Sequence, residues 1–372
     1  MEGSTVNKRK YLAGVAAASA LVLGLAGCSG DRSGGGGDDA EGGLVGVSMP
    51  SQQLERWIAD GNNVQSELEE LGYDVDLQYA NDDIATQISQ LENMITSGAK
   101  ALIIASIDGT TLTSVLQQAA DADIPVIAYD RLILGSENVD YYTTFDNFAV
   151  GEQQATSLLT GLGVLDASGA DTGEVGPFNI EVFAGSPDDN NATFFWDGAM
   201  SVLQPYMESG VVVVPSGQTA FEQAATPGWL AENAQDRMEN LLTIIGDTKL
   251  DAVLAPNDGL ASGIIAALSS GGYAGDIPVI TGQDADVGGV KAIISGEQYS
   301  TIFKDTRLLG AQAVEMVQAI LNGEKPEVND TKTYDNGEKV VPSFLLESQV
   351  VTLDNYEDIL IGGGYYEASD LE

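Results

Sequence analysis

The sequence predicts an α/β protein made of two doubly wound, parallel-sheet domains. Two observations predict this fold. From Leu44 onward, short apolar strands alternate with amphipathic helices, an order typical of a parallel sheet covered by helices. The alternation starts again at Asn179. A chain of 372 residues, 44% of them apolar, is long enough to bury a core in each of two domains.

The first run of this pattern contains the strands LVGVSM, DVDLQYA, ALIIAS and IPVIAY. The helices between them carry apolar residues at three- and four-residue spacing, the period of a helix with one buried face. On the first helix these residues are Leu54, Ile58, Gly61, Val64, Leu68 and Leu71, and on the second they are Ile84, Ile88, Leu91 and Ile95. A third helix is predicted over residues 112–120.

The second run repeats the order with the strands NIEVFAG, VVVV, DAVLAP, IPVIT and YSTIF. Helices are predicted over residues 191–207, 229–245 and 259–269, then as a short segment before YSTIF, and finally over residues 305–321. Two runs of similar length favour two domains over one large sheet.

The charge of the chain excludes several classes of function. It carries 56 acidic and 15 basic residues, a net charge of −41, no histidine and one cysteine. Such a negative field repels phosphate backbones, so nucleic acid is not an expected partner. Without histidine there is no Ser-His-Asp triad and no imidazole zinc site. The acids are spread along the chain, which is typical of proteins from salt-loving microbes; an ordinary acidic secreted protein is the alternative.

The N-terminal residues 1–28 are predicted to be an export signal that ends in a lipobox. Lys8, Arg9 and Lys10 precede an apolar run that is too short to span a bilayer comfortably. The sequence LAGC ends at Cys28, the only cysteine, and resembles the lipobox of bacterial and archaeal lipoproteins. Residues 29–43 are a Gly/Asp-rich flexible tether. The mature protein is therefore expected outside the cytoplasmic membrane, lipid-anchored to its outer face. A plain signal peptide with a chance cysteine is the alternative.

Polar side chains follow most of the predicted strands, at the edge where doubly wound sheets bind ligands. They are Asp108, Asp130, Arg131, Asn190, Asn191, Asn257, Asp258, Gln283, Asp284 and Lys304, with Arg56 and Trp57 just after the first strand. Each set has a structural alternative. These are a helix N-cap for Asp258, a turn and helix start for Asn190 and Asn191, an ion pair for Asp130 with Arg131, and core packing for Trp57 and Trp229.

Planar polar groups beside aromatic rings match the chemistry of a sugar. Sugar hydroxyls both donate and accept hydrogen bonds, and the C–H faces of the ring pack on aromatic side chains. A hydrogen bond to a charged group contributes about 1.5–3 kcal/mol. Several such bonds in a dry cleft reach the roughly 8 kcal/mol that micromolar affinity requires.

Long stretches of the chain resemble the multiple-monosaccharide receptors of glucose/galactose/xylose ABC importers, which are type I periplasmic binding proteins. These stretches include WIADGNN, LQYANDDI, ASIDGTTL, VIAYDRLI, GSPDDNNA, GEQYSTIFKDTR and PEVNDTKTYDNG. The resemblance implies a three-strand hinge that crosses near Asp146, Lys304 and Ser343. The N-terminal lobe is then residues 44–146 plus 305–343, and the C-terminal lobe residues 147–304 plus 344–372.

The resemblance also implies the ligand contacts and the partners. The implied contacts are Arg56, Trp57, Asp130, Arg131, Asn190, Asn191, Trp229, Asn257, Asp258, Asp284 and Lys304, with either Asn257 or Asp258 meeting the sugar. The expected function is to bind an aldose such as glucose, galactose, xylose or arabinose and deliver it to ABC permease subunits that use a separate ATPase. We expect a monomer, with no cofactor, no metal and no catalytic residue.

Three other functions compete with this interpretation. A transcription regulator of the same fold needs a basic DNA-binding segment before the first strand, where this chain has a lipobox and tether instead. An extracellular glycosidase would use paired carboxylates, but cations beside the strand-end acids lower a carboxyl pKa rather than raise it for acid catalysis. A sugar sensor without a transport role is the third.

Overall fold

The computed structural model describes residues 42–270 and 273–372. The predicted signal peptide, the lipobox with Cys28 and nearly all of the tether lie outside these residues. None of the helices in the described ranges combines the length and hydropathy needed to span a bilayer.

The first half of the described chain alternates strands and helices as predicted. Its elements are β1 (Leu44–Met49), α1 (Glu55–Glu70), β2 (Asp74–Tyr79), α2 (Ile84–Thr96), β3 (Ala101–Ile104), α3 (Thr113–Asp121), β4 (Val126–Tyr129), β5 (Tyr141–Phe145) and α4 (Asn147–Gly161).

The second half continues the alternation and ends in two further strands. Its elements are β6 (Phe178–Val182), α5 (Asn190–Ser209), β7 (Val212–Val213), α6 (Phe221–Ala224), α7 (Ala231–Ile245), β8 (Ala252–Leu254), α8 (Asp258–Ser270), β9 (Val279–Ile280), α9 (Val287–Ser295), β10 (Ser300–Phe303), α10 (Thr306–Leu321), β11 (Ser343–Leu346) and β12 (Gln349–Thr352). Short helical turns cover Pro227–Trp229, Glu357–Ile361 and Ala368–Leu371.

The strands form two parallel sheets and one antiparallel pair. The first sheet has six strands in the order β11-β5-β4-β3-β1-β2, and the second has four in the order β7-β6-β8-β9. β10 pairs antiparallel with β12. The predicted α/β fold class with two parallel sheets is confirmed.

Apolar side chains cover both faces of each parallel sheet. In the first sheet, one face packs on α1 and α10 and the other on α2 and α3. In the second, one face packs on α7 and α8 and the other on α4 and α5. We therefore infer a first lobe, made of β1–β5, α1–α3, α10 and β11, and a second lobe, made of α4–α9, β6–β10, β12 and the C-terminal segment.

The sheet order corrects one predicted lobe boundary. The last passage between lobes was expected near Ser343. β11 pairs with β5 along its whole length, from Ser343 opposite Tyr142 to Leu346 opposite Phe145. The passage therefore follows Leu346, because the strand that begins at Ser343 belongs to the first sheet.

Candidate functional site

A cavity lies at the carboxyl ends of the strands, where the two lobes face each other. Its lining from the first lobe, the first-lobe wall, is Leu54, Arg56, Trp57, Asp130 and Arg131. Its lining from the second lobe, the second-lobe wall, is Asp189, Asn191, Phe195, Trp229, Asn257, Gln283, Asp284 and Lys304. The cavity therefore lies beyond the carboxyl ends of the strands, where doubly wound sheets bind ligands.

All but two of the residues predicted to contact a ligand line this cavity. The exceptions are Asn190, which is half-buried on α5, and Asp258, which is buried behind the second-lobe wall. Four lining residues were not among those predicted: Leu54, Asp189, Phe195 and Gln283. Gln283 was visible as a strand-end amide beside Asp284, and Asp189 as an acid in GSPDDNN, whereas the apolar Leu54 and Phe195 carried no sequence signal.

Arg56 joins the two walls. It lies in the first turn of α1 and is 6% exposed. Its Nη2 donates to Asp130 Oδ1 at 2.8 Å and its Nε donates to Asp60 Oδ2 at 3.1 Å. Its Nη1 lies 3.4 Å from Asp284 Oδ1 on the opposite wall. Burial alone would lower the pKa of Arg56, but Asp130, Asp60 and Asp284 together hold the pKa well above its usual value.

Asp130 is kept ionised by the cations around it. Burial favours the neutral acid, but Arg56, Lys304 and Arg131 outweigh burial and hold the pKa of Asp130 below its usual range. A carboxylate that stays charged is a hydrogen-bond acceptor only. Asp130 can therefore accept hydrogen bonds from ligand hydroxyls.

The backbone at Asp130 takes a left-handed conformation that non-glycine residues rarely adopt, with φ 57°. Its carbonyl oxygen accepts three hydrogen bonds: from Tyr142 Oη at 2.7 Å, from Thr144 Oγ1 at 3.0 Å and from Asn191 Nδ2 at 2.8 Å. Surrounding contacts of this kind are what hold a strained residue in place. Since Asn191 lies on the second lobe, this carbonyl also ties the lobes together.

Arg131 packs between the lobes and faces a buried acid. Its Nη1 donates to the carbonyl oxygens of Ser106 at 3.2 Å and Ile107 at 3.1 Å. Its Nε lies 3.2 Å from Asp189 Oδ2 without hydrogen-bond alignment, and the same oxygen accepts from Trp229 Nε1 at 3.2 Å. Burial raises the pKa of Asp189, although Arg131 pulls it down. The structural alternative, an ion pair between Asp130 and Arg131, is not what the structure shows, because Asp130 pairs with Arg56 and Arg131 with Asp189.

The second-lobe wall carries its own ion pair. Lys304 Nζ lies 2.9 Å from Asp284 Oδ1 and both residues are buried. The ammonium group also stands 5.5 Å from the ring centre of Phe195 and 5.9 Å from that of Phe145. Aromatic faces attract a cation at such distances, so Lys304 is held where the walls meet.

Two tryptophan rings flank the charged groups. The guanidinium carbons of Arg56 and Arg131 lie 4.9 Å and 5.2 Å from the ring centre of Trp57. Trp229 has φ 56°, and a Cβ added at Gly185 would overlap its ring. Both tryptophans belong to apolar clusters as well as to the cavity. Trp57 and Trp229 therefore pack in the core and also face the cavity.

Asp258, for which a helix N-cap was the structural alternative, does not cap α8; the residue before it does. Asn257 Oδ1 accepts from Leu260 N at 2.9 Å and so caps α8. The Asp258 carboxylate points away from the helix start and accepts from other elements. On α5 the cap is Asp189, whose Oδ1 accepts from Asn191 N at 2.9 Å.

Two buried polar atoms of cavity-lining residues make no hydrogen bond within the described ranges: Arg131 Nε, which faces Asp189, and Gln283 Oε1. Gln283 Oε1 makes no hydrogen bond, although Gln283 is 2% exposed. Leaving a buried acceptor unsatisfied costs about 1–3 kcal/mol, and native structures keep few such atoms. Gln283 Oε1 is therefore free to accept a further hydrogen bond. No group of carboxylates in the described ranges has the arrangement of a metal site.

Comparison with known proteins identifies the class to which this fold and cleft belong. Residues 45–325 match the family described as "Periplasmic binding protein domain". The chain belongs to this family of substrate-binding receptors.

Relatives in this family share most of the chain's length. The multiple sugar-binding periplasmic receptor ChvE of Rhizobium radiobacter is 56% identical over 90% of this chain and 93% of its own length. The D-xylose-binding periplasmic protein of Escherichia coli is 39% identical over 88% of this chain and 92% of its own length. An ABC transporter solute-binding protein from Clostridium phytofermentans with bound β-D-glucose has 50% identity and a TM-score of 0.84, covering 88% of this chain and 100% of that one. These relatives confirm the resemblance inferred from the sequence.

Proposed function

We propose that this protein is an extracytoplasmic receptor that binds one aldose, such as glucose, galactose, xylose or arabinose, between its two walls. The bound sugar is delivered to the permease of an ABC importer, whose separate ATPase supplies the energy. The receptor acts as a monomer without a cofactor.

The observation that carries this proposal is the chemistry of the cavity. It combines an ionised carboxylate at Asp130, an unpartnered amide oxygen at Gln283, buried cations and two tryptophan rings. Polar groups that converge with apolar surface in a concave site are the general features of a small-molecule site. Hydroxyls satisfy the acceptors, and the C–H face of a sugar ring packs on the aromatic surfaces.

The family also decides between a receptor and an enzyme. Its members are substrate-binding receptors, which confirms the prediction that the chain is not an enzyme. Asp130, which lines the cavity, has a lowered pKa, whereas a general acid in glycoside hydrolysis requires a raised one. Asp189, the lining acid whose pKa is raised, already accepts from Trp229 Nε1 and Asn191 N. A sensor that binds sugar without transport would use the same cleft.

A thermal-shift panel tests the proposal. The protein is melted in concentrated salt with glucose, galactose, xylose or arabinose, and with mannitol as an osmolyte control. At a ligand concentration about 1,000 times Kd, binding stabilises the folded state by about 4 kcal/mol. We expect at least one aldose to raise Tm well beyond mannitol. If no aldose does so, the proposal is wrong. Release of nitrophenol from nitrophenyl glycosides would instead support the glycosidase.

We also propose that the receptor is held at the membrane by lipid on Cys28. Proteins of this family are extracytoplasmic, and a lipid-bearing N-terminus followed by a Gly/Asp-rich tether would keep the receptor near its permease. In cell fractionation, the wild type should sediment with membranes, and Cys28→Ser should move to the medium or remain unprocessed. A wild type that is already free in the medium would contradict the anchor.

The acidic composition supports a role in concentrated salt. With 56 acidic and 15 basic residues, repulsion destabilises the fold when salt is low. The Debye length falls to about 3 Å at 1 M salt. We expect Tm to rise by many degrees from dilute buffer to molar potassium chloride. A Tm independent of salt would contradict the halophilic interpretation without affecting the receptor proposal.

A further inference from the structure

The loop that carries Gln283 and Asp284 into the cavity has a strained backbone conformation. Asp284 and Ala285 both have positive φ, 92° and 51°, in consecutive non-glycine residues. Residues in such conformations cost about 1–3 kcal/mol each and persist only where neighbouring groups fix them. Something outside the loop must therefore hold it.

The carboxylate of Asp258 lies directly behind this loop and receives three hydrogen bonds. Oδ2 accepts from the backbone N of Asp286 at 3.0 Å and from Thr301 Oγ1 at 2.9 Å. Oδ1 accepts from Gln298 Nε2 at 2.7 Å. Asp258 is 3% exposed and does not line the cavity.

These contacts bracket Asp284 on both sides. Before it, the carbonyl of Gln283 accepts from the backbone N of Asp258 at 3.0 Å. After it, the backbone N of Ala285 donates to Thr301 Oγ1 at 3.1 Å, and that hydroxyl in turn donates to Asp258. Asp258 thus fixes three consecutive peptide groups around the strained residues, directly or through one hydroxyl.

The Asp258 carboxylate occupies space that is open only because two neighbouring residues are glycines. A Cβ added at Gly282 or at Gly289 would overlap atoms of the Asp258 carboxyl group. Gly282 begins the strained loop and Gly289 lies on α9, the helix that follows it. The fit explains why no larger acid could replace Asp258 without moving the loop.

We infer that Asp258 is the positioning residue of the second-lobe wall: it sets the orientation of Gln283 and Asp284, and through them the affinity for the sugar, without touching the sugar. The inference rests on the proposed function. The charged form of Asp258 is unfavourable in this position, because burial and the neighbouring Asp284 raise the pKa of Asp258 to about 7. No cation is paired with Asp258 in the described residues, so hydrogen bonding is what defines its role.

The first test replaces Asp258 by a side chain of the same shape. In Asp258→Asn, one acceptor becomes an NH2 group that meets the donor of Gln298 or of Asp286. Titration calorimetry with D-glucose, well below the melting temperature, should show a loss of affinity of roughly 10- to 100-fold. The matched control is Glu181→Gln, a buried carboxylate in the same lobe that accepts from Ser216 N at 3.0 Å and lies outside the cavity lining. It should leave the affinity unchanged.

A swapped pair separates positioning from general destabilisation. In Asp258→Asn with Gln298→Glu, the new NH2 group donates to the new carboxylate, while the remaining oxygen still accepts from Asp286 N and Thr301. This double variant should regain part of the lost affinity, because the new carboxylate cannot replace the hydrogen bond that Gln298 Nε2 donates to the carbonyl oxygen of Ser300 at 3.0 Å. In addition, Asp258→Asn should cost less affinity in a Gln283→Met background than in the wild type, because Gln283 is then no longer there to be oriented.

If Asp258→Asn does not fold, Thr301→Val provides the same test from the other side. It removes the hydroxyl that joins Ala285 N to Asp258 while keeping the volume, and it should weaken D-glucose binding about 3- to 10-fold. Wild-type affinity in either variant overturns the inference. A wild-type protein that binds no aldose instead contradicts the proposed function on which the inference rests.

Discussion

The two walls of the cleft reach their binding geometry by different means. On the first-lobe wall, opposite charges meet: Arg56 contacts the carboxylates of Asp60, Asp130 and Asp284, and their attraction outweighs the effect of burial on Arg56. The second-lobe wall contains a single cation, Lys304, and otherwise depends on a strained loop with the unpartnered amide oxygen of Gln283.

This difference indicates how the walls divide the task of binding. On the first-lobe wall, the Asp130 carboxylate is already paired with Arg56, so a sugar gains from it a strong, preorganised acceptor. The second-lobe wall has an acceptor left to satisfy, so a ligand hydroxyl there relieves an existing cost. A ligand that contacts both walls favours the closed arrangement by its differential affinity for it.

The largest expected effect follows from removing the charged acceptor of the first-lobe wall. Asp130→Ala should weaken aldose binding roughly 30- to 1,000-fold, equivalent to about 2–4 kcal/mol, because a charge-assisted hydrogen bond is lost and Arg56 loses a partner. Calorimetry with glucose, galactose, xylose and arabinose measures this loss.

Asp123→Ala is the matched control for that variant. Asp123 has φ 56°, nearly the same as the 57° of Asp130, but is exposed and outside the cavity lining. Both substitutions place alanine in left-handed backbone, so any shared change in Tm reflects the backbone alone. Unchanged affinity in Asp130→Ala for every aldose that the wild type binds would remove Asp130 from the site.

A smaller effect is expected on the second-lobe wall. Gln283→Met removes the unpartnered oxygen and nearly preserves the volume. Since that oxygen makes no hydrogen bond in the described structure, the ligand-free protein should melt at the wild-type temperature or slightly above it. Sugar affinity should fall about 3- to 10-fold, as for a neutral hydrogen bond. A lower Tm with intact affinity would show that Gln283 is structural.

A separate effect, on stability rather than on affinity, concerns pH and the buried acids behind each wall. Burial raises the pKa of Asp60 to about 6 and that of Asp258 to about 7. A raised folded-state pKa gives stability that is complete below the unfolded pKa and is lost as pH rises through the folded value. In molar salt, the unfolding free energy should therefore fall between about pH 4 and pH 8, and Tm should fall with it.

Asp130 acts in the opposite direction over a different range. Its pKa is lowered, so its contribution is present above the unfolded pKa and disappears only in more acidic solution. Denaturant titrations at intervals of half a pH unit resolve the two ranges. Stability that increases from pH 5 to pH 8 would contradict the description of the acids behind the walls.

The sequence predicted the fold and most of the cavity lining because both follow from local patterns. Strand and helix periods define the parallel sheets, and the strand ends then bring Asp130, Arg131, Asn257, Asp284 and Lys304 to one edge. Arg56 and Trp57 were visible just after the first strand, and the long stretches similar to sugar receptors implied that they contact the ligand. Each residue's role in binding remains a prediction until the variants are measured.

What the sequence could not predict depends on side-chain direction and on pairing across the lobes. Asn257 and Asp258 are adjacent, yet one caps a helix at the cavity and the other faces inward to hold a loop. Likewise, Asp130 precedes Arg131 in sequence but pairs with Arg56 from another element. Such choices are made by tertiary contacts, and no spacing rule contains them.

A crystal structure of the protein grown with a saturating aldose that raises its Tm would show directly whether both walls hold the sugar. We expect one sugar ring between the two walls, with hydroxyl oxygens within hydrogen-bond distance of the Asp130 carboxylate and of Gln283 Oε1, and with Asp258 making no contact to it. A sugar bound elsewhere, or one held by residues of only one lobe, would show that the two walls do not form the binding site.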